Sequence, residues 1–177
     1  LDDAAGEVYD NVARLLGLGY PGGPKVEKKK KKGIHDLKIK KPNVGENDFS
    51  FSGVKTFVTN YINNEKMKGN VINKENIARS FQDTVVSILS EKAVNLCKKE
   101  GIKTLTVVGG VSANKALRRK MTEMGEENNI EVFFPGLEYC TDNAAMIGVA
   151  AYYELKKKGR DYNYILLDAV ASKDMFL

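Results

Sequence analysis

An α/β fold with a parallel sheet is what this sequence predicts, and three observations predict it. A β-branched run, Thr104 to Val108, leads through Gly109-Gly110-Val111-Ser112 into a helical pattern over 113–127. A second run, Ile130 to Phe134, leads through 135–141 into another helical pattern over 142–158. Ahead of both stands an apolar stripe of helical period, Ile77, Ala78, Phe81, Val85, Ile88, Leu89, Ala93 and Leu96, long enough to line a core. Two strand–loop–helix units in series connect parallel strands and put both loops at the carboxyl ends of the strands, the edge where open α/β sheets bind ligands.

The elements follow in chain order. Asp2 or Asp3 is placed to cap a helix reaching Leu16 or Gly17, with Val8, Val12, Leu15 and Leu16 on its apolar face. Tyr20-Pro21-Gly22-Gly23-Pro24 ends it in a rigid turn that leaves backbone amides accessible. Residues 25–48 have weak periodicity and read as the most mobile stretch. Phe49 to Gly53 alternates like a short strand or an extended entry to a helix over 54–63, and 64–73 reads as turn. The long helix spans Lys74 to Lys99, capped by Asn73 and stopped by Gly101. After the two strand–loop–helix units, Gly159 closes the last helix behind Lys156 to Lys158. The tail over 159–177 has one apolar run, Tyr164 to Leu167, consistent with an edge strand or a disordered end. The domain reading is a helical segment with a basic loop (25–48) over 1–100, a nucleotide-side α/β lobe over 101–158, and the tail.

The 177 residues suffice for one domain with a real core, or for part of a larger two-lobed protein. The chain begins at Leu1 and runs directly into a helical pattern, which favours a fragment. A net charge of +5 permits a nucleic-acid partner without requiring one. Much of the excess is local: Lys25, Lys28 to Lys32, Lys38, Lys40 and Lys41 face only Glu27 and Asp36. Such a run is either a solvated loop or a sequence-blind phosphate contact for RNA, and its lack of aromatic residues argues against base stacking. Cys97 and Cys140 make no disulfide framework and fit a reducing, cytoplasmic setting. No apolar run approaches the roughly 18 residues that span a membrane.

The chemistry concentrates in the loops. Gly109-Gly110 lets a ligand approach the backbone, or lets helix and strand pack tightly. Ser112 is placed to cap the next helix, whose amino terminus attracts an anion. Asn114 offers a donor and an acceptor suited to a ribose or an adenine edge. Asp142 suits either a helix cap or a carboxylate ligand to a metal. Asp10 and Gly23 could hold a sugar hydroxyl and a phosphate from one side of a cleft. His35, the single histidine, sits in the lysine-rich stretch with no orienting partner in view. Neither a Ser-His-Asp triad nor a GxxxxGK[ST] phosphate loop is present.

Five segments occur in order: Asp2-Asp3-Ala4-Ala5-Gly6-Glu7, Leu15-Leu16-Gly17-Leu18-Gly19-Tyr20-Pro21-Gly22-Gly23-Pro24, Phe49-Ser50-Phe51-Ser52-Gly53-Val54-Lys55-Thr56, Gly109-Gly110-Val111-Ser112-Ala113-Asn114 and Cys140-Thr141-Asp142-Asn143-Ala144-Ala145-Met146. Over about residues 1–158 the chain thereby resembles the carboxyl-terminal half of the tRNA threonylcarbamoyltransferase family, the bacterial TsaD proteins, once labelled O-sialoglycoprotein endopeptidases. The resemblance implies an actin-like, sugar-kinase-like ATPase fold with a ribonuclease H-like core, here one lobe with an inserted helical segment. It implies transfer of a threonylcarbamoyl group from threonylcarbamoyl-AMP to N6 of adenosine 37 in tRNAs reading codons that start with A. By position, Asp10, Gly23 and Asn114 would hold the adenylate or ATP, Glu27 would sit where some members place an acid on the ribose, Gly109 and Gly110 would lend loop backbone, and Asp142 would be a ligand to iron or zinc. The implied partners are tRNA and the other proteins of the threonylcarbamoyladenosine pathway.

Two departures from the family pattern matter. The HxxxH metal motif and the Gly-rich phosphate loop of the family's amino-terminal half are missing, so one metal ligand of three is present and the chain is expected to bind metal weakly and to be inactive alone. Lys28 to Lys32 replace a mixed apolar and basic segment. Two other readings compete. A metallo-glycoprotease needs an activated water and a general base near the metal, and no HExxH is present. A non-catalytic nucleotide- or partner-binding lobe would pair through uncovered apolar surface, with other proteins or with itself as a homodimer.

Overall fold

The computed structural model describes residues 2–42, 44, 45 and 48–158; the expected tail over 159–177 lies outside the described residues. The chain divides into two compact units, residues 1–141 and 142–177. In the first, α1 (Ala5–Leu15), α2 (Gly22–Lys29), α3 (Ser52–Met67) and α4 (Lys74–Lys99) precede β1 (Thr104–Thr106), α5 (Lys115–Glu127) and β2 (Glu131–Phe133). The described part of the second unit carries α6 (Ala144–Lys158).

The two strands pair in parallel, with Thr104 opposite Glu131, Leu105 opposite Val132 and Thr106 opposite Phe133. The crossover between them is α5, as the two-unit reading predicts. The fold is α/β with a small parallel sheet.

Helix α4 is the spine because it is apolar on more than one face. Its amino-terminal half, through Ile77, Phe81, Val85 and Ile88, packs with Val8 and Val12 of α1 and with Val54 and Val58 of α3. Val86 joins Leu117 and Met121 of α5, with Leu105 and Val132 of the strands packed alongside. Val94 and Cys97 close over Ile130, Leu105 and Val132. Asn73 caps α4 as expected, its side chain accepting a 3.0 Å hydrogen bond from the Asn76 amide.

Three local expectations are corrected. Neither Asp2 nor Asp3 caps α1, whose N-cap position is Ala4 with no side-chain cap bond. The Asp2 carboxylate instead accepts from the amides of Phe51 and Ser52, at 3.2 and 2.9 Å, and so satisfies the first N–H groups of α3. That long-range cap starts α3 at Ser52, two residues before the expected Val54, and residues 49–51 form an entry to the helix and not a strand. The basic stretch begins as helix α2 and a 3-10 turn over Lys30–Lys32, because Val26 and Gly22 are buried against the rest of the unit. Residues 34–41 then lie along α4: Ile34 N–H donates to Asn76 at 3.0 Å, Leu37 N–H to the Ser80 hydroxyl at 3.1 Å, and Lys41 to Ser87 and Glu91 at 2.8 and 2.6 Å.

Candidate functional site

Residues drawn from α1, α2 and the loop after β1 converge on one cavity of about 540 Å³. Asp10, Gly23, Glu27, Gly110 and Asn114 all line it, and Tyr9, Tyr20, Pro24, Val111 and Thr141 complete much of the wall. Gly109 is not on that wall; its φ of 87° makes the turn that carries Gly110 to it. Asp142 belongs to the other unit and is exposed.

The acidic wall is built by a close approach between α1 and α2. Gly22 N–H donates to Asp10 Oδ1 at 2.7 Å. A Cβ on Gly22 would lie 2.5 Å from the Asp10 Cα and 2.5 Å from the Tyr9 carbonyl oxygen, so only glycine fits there. This approach fixes the Asp10 side chain and brings the amino-terminal turn of α2, with Gly23, into the cavity wall. Four residues on, Glu27 projects from the same helix and accepts a 3.1 Å hydrogen bond from the Lys115 amide at the start of α5.

Asn114, not Ser112, caps α5. Its Oδ1 accepts from the amides of Ala116 and Leu117 at 2.9 and 3.1 Å, and α5 therefore begins at Lys115. The buried Gln82 amide donates to the same oxygen at 3.4 Å. With its acceptor committed, Asn114 presents its Nδ2 donor, which reaches the Tyr9 hydroxyl at 3.5 Å. Burial, reinforced by the negative charges of Glu27 and Asp83, pushes the Tyr9 phenol far above its ordinary pKa. It stays neutral, a donor and acceptor behind the cavity, with its ring edge-on to Phe81 at 5.0 Å.

Ser112 has another role. Its hydroxyl donates to the Cys140 sulfur at 3.3 Å. Arg118 ties the two loops of the strand edge together, donating to the carbonyls of Ser112 and Pro135 at 2.6 and 2.7 Å and lying 4.9 Å from the Phe134 ring centroid. Sequence reasoning missed Arg118, Tyr9 and Gln82. The arginine lies on α5 one turn beyond Asn114, a spacing that could have signalled it; Tyr9 and Gln82 each stand next in sequence to a residue of an apolar stripe, Val8 and Phe81, and carry no local signal of their own.

The arrangement has the chemistry of a polyol and heterocycle site. Two carboxylates with spare lone pairs are able to accept from hydroxyls, the Asn114 amide is able to donate, and Tyr20, 79% exposed, offers an aromatic face at the rim. A metal is a different matter. No group of three His, Cys, Asp or Glu side chains able to hold an ion occurs among the described residues. Asp142 does not cap α6 either; Asn143 does, its side chain accepting from the Met146 amide at 2.9 Å. The donors among the described residues do not make a metal site.

Similarity to known proteins supplies the family. The chain is 54% identical over 157 residues to a tRNA N6-adenosine threonylcarbamoyltransferase of Fusobacterium nucleatum, covering 88% of this chain and 46% of that protein. It is 50% identical over 159 residues to the protein of the same name from Clostridium perfringens, covering 88% of this chain and 47% of that one. It thus spans about half the length of the curated relatives it matches. Among solved structures, HypF from T. kodakarensis matches with a TM-score of 0.66 at 26% identity, over 89% of this chain and 20% of that one. A full-length HypF in its phosphate- and nucleotide-bound form matches with a TM-score of 0.60 at 20% identity, over 90% of this chain and 21% of that one, a likeness of fold. The family model for TsaD, tRNA N6-adenosine threonylcarbamoyltransferase, matches residues 1–149, and the chain belongs to that family.

Proposed function

We propose that this chain supplies the nucleotide-holding half of a tRNA N6-adenosine threonylcarbamoyltransferase. One observation carries the reading: Asp10, Gly23, Glu27 and Asn114, spread from residue 10 to residue 114, line a single cavity. Asp10 and Glu27 accept from the ribose hydroxyls of threonylcarbamoyl-AMP or ATP. The Asn114 amide donates to the adenine edge, and the backbone of Gly23 at the start of α2 and of Gly110 faces the remaining polar atoms. Both carboxylates are held by backbone N–H groups before a ligand arrives, so little ordering is needed on binding.

The transfer itself needs more than these residues. Asp142 is the one residue proposed as a ligand to iron or zinc, and the described residues do not complete a site for either. The chain is read as inactive alone, acting with tRNA and the other pathway proteins in the cytoplasm; among the described residues no helix is long and apolar enough to cross a membrane. Association has a specific support: on α6, Ile147, Val149, Tyr152 and Tyr153 are more than half exposed, an apolar surface suited to a partner or a second copy.

Calorimetric titration with ATP and Mg²⁺ tests the nucleotide assignment. Saturable binding by the chain, lost in Asn114→Ala, is the expected result. Equal binding by both proteins would remove Asn114 from the site, and no binding by either would refute a preformed half-site.

A further inference from the structure

A second groove, of about 560 Å³, runs between residues 35–41, α4 and α5. Five permanent cations line it, Lys38, Lys41, Arg79, Arg119 and Lys120, against the lining carboxylates Asp83 and Glu123 and the Glu91 partner of Lys41. None of these belongs to the nucleotide cavity. We propose that this groove docks the phosphate backbone of RNA.

The cations come from three separate segments, and part of the set is fixed in advance. Asp83 holds the Arg79 guanidinium at 2.6 Å and sits 3.3 Å from the His35 ring. Lys41 is held by Glu91 at 2.6 Å. Arg119 and Lys120 stand on the exposed face of α5, where Glu123 pairs with Arg119 at 3.6 Å and leaves Lys120 to solvent. Clustered, partly pre-ordered cations neutralise successive phosphates without reading sequence, and release counterions as they do so.

The lining also separates RNA from a protein partner. Ile39 and Val86 form the floor but are only 7% and 6% exposed, and no Phe, Tyr or Trp side chain lines the groove, whose one ring, His35, is turned to Asp83. A protein interface needs apolar or aromatic anchors, and base stacking needs aromatic faces; phosphate contact needs neither. Continuity supplies the direction. The first two turns of α5 follow Asn114, which lines the cavity, and carry Ala116, Arg119 and Lys120 in the groove. An RNA whose reacting base faces the cavity would lay its backbone along α5. The inference rests on the RNA-modifying reading above and adds which face of the chain meets the RNA.

The test is anisotropy of a labelled, unmodified tRNA transcript titrated with the chain across a range of KCl concentrations. Wild type is compared with Arg119→Glu/Lys120→Glu, both exposed positions, and with Lys38→Glu as an independent single change; circular dichroism checks folding. The double variant is expected to bind about tenfold more weakly and to lower the log–log salt slope by about 1.5, at roughly 0.7 to 0.9 for each phosphate no longer neutralised. An unchanged slope in both variants overturns the groove assignment. So does a groove-dependent affinity for polyglutamate that matches that for tRNA, which would mark a site for acidic protein. Calorimetry with ATP on the same variants keeps the two readings apart. A reduced slope with nucleotide binding absent would leave the groove standing and sink the cavity, whereas intact nucleotide binding with an unchanged slope would do the reverse.

Discussion

Asn114 serves two ends with the two ends of one amide. Its oxygen caps α5, and its nitrogen faces Tyr9 and the cavity. The two roles separate by substitution. Asn114→Ala removes both and is expected to cost about 1 kcal/mol of stability, the usual loss of a side-chain cap. Asn114→Asp keeps the capping oxygen, so it is expected to melt close to wild type while losing nucleotide affinity, because the donor is gone. Thermal melts and calorimetry on both variants check this. Wild-type nucleotide affinity in Asn114→Asp would show that the amide nitrogen does not touch the ligand.

At the scale of an element, α3 begins where a residue far off in sequence satisfies its amides. Hydrogen bonds from the Ser50 side chain and from the backbone of Ser52 and Phe51 hold the Asp2 carboxylate well below the ordinary range. A folded pKa below the unfolded one adds stability that is fully present above the unfolded value, near pH 4, and is lost as the pH falls below it. Asp2→Asn should therefore lower Tm at pH 7, and the gap to wild type should narrow from pH 5 down to pH 2. A gap that stays constant over that range would mean that the charge of Asp2 does not stabilise α3. The same element shows why local pattern misled. The alternation of Phe49 to Gly53 suggested extended chain, but Asp2 closes the first turn of a helix there.

For the whole molecule, the division between cavity and metal is the main prediction. One unit carries the assembled cavity, while the described residues hold no three-ligand cluster. Equilibrium dialysis against Zn²⁺ should find at most weak, sub-stoichiometric binding to this chain, and an Asp142→Ala variant should behave alike. A tight one-to-one site abolished by that variant would contradict the incomplete-site reading.

The sequence by itself determined the parallel strand pair, the spine helix with its Asn73 cap, and the residue types that line the proposed nucleotide cavity. Those depend on period, on β-branching and on short motifs, which are local. Only the tertiary structure decided the rest. That α2 is helical depends on the burial of Val26 and Gly22, which the lysines around them conceal. That Asn114 rather than Ser112 caps α5 depends on a 3-10 turn over Gly110–Ala113 that shifts the helix start. That Asp10 and Glu27 share a wall depends on Gly22 meeting α1, and that the lysines and arginines of three segments form a groove depends on residues 34–41 lying along α4. Each of these is a long-range interaction, set by which surfaces are removed from water together, and no window of neighbouring residues records it.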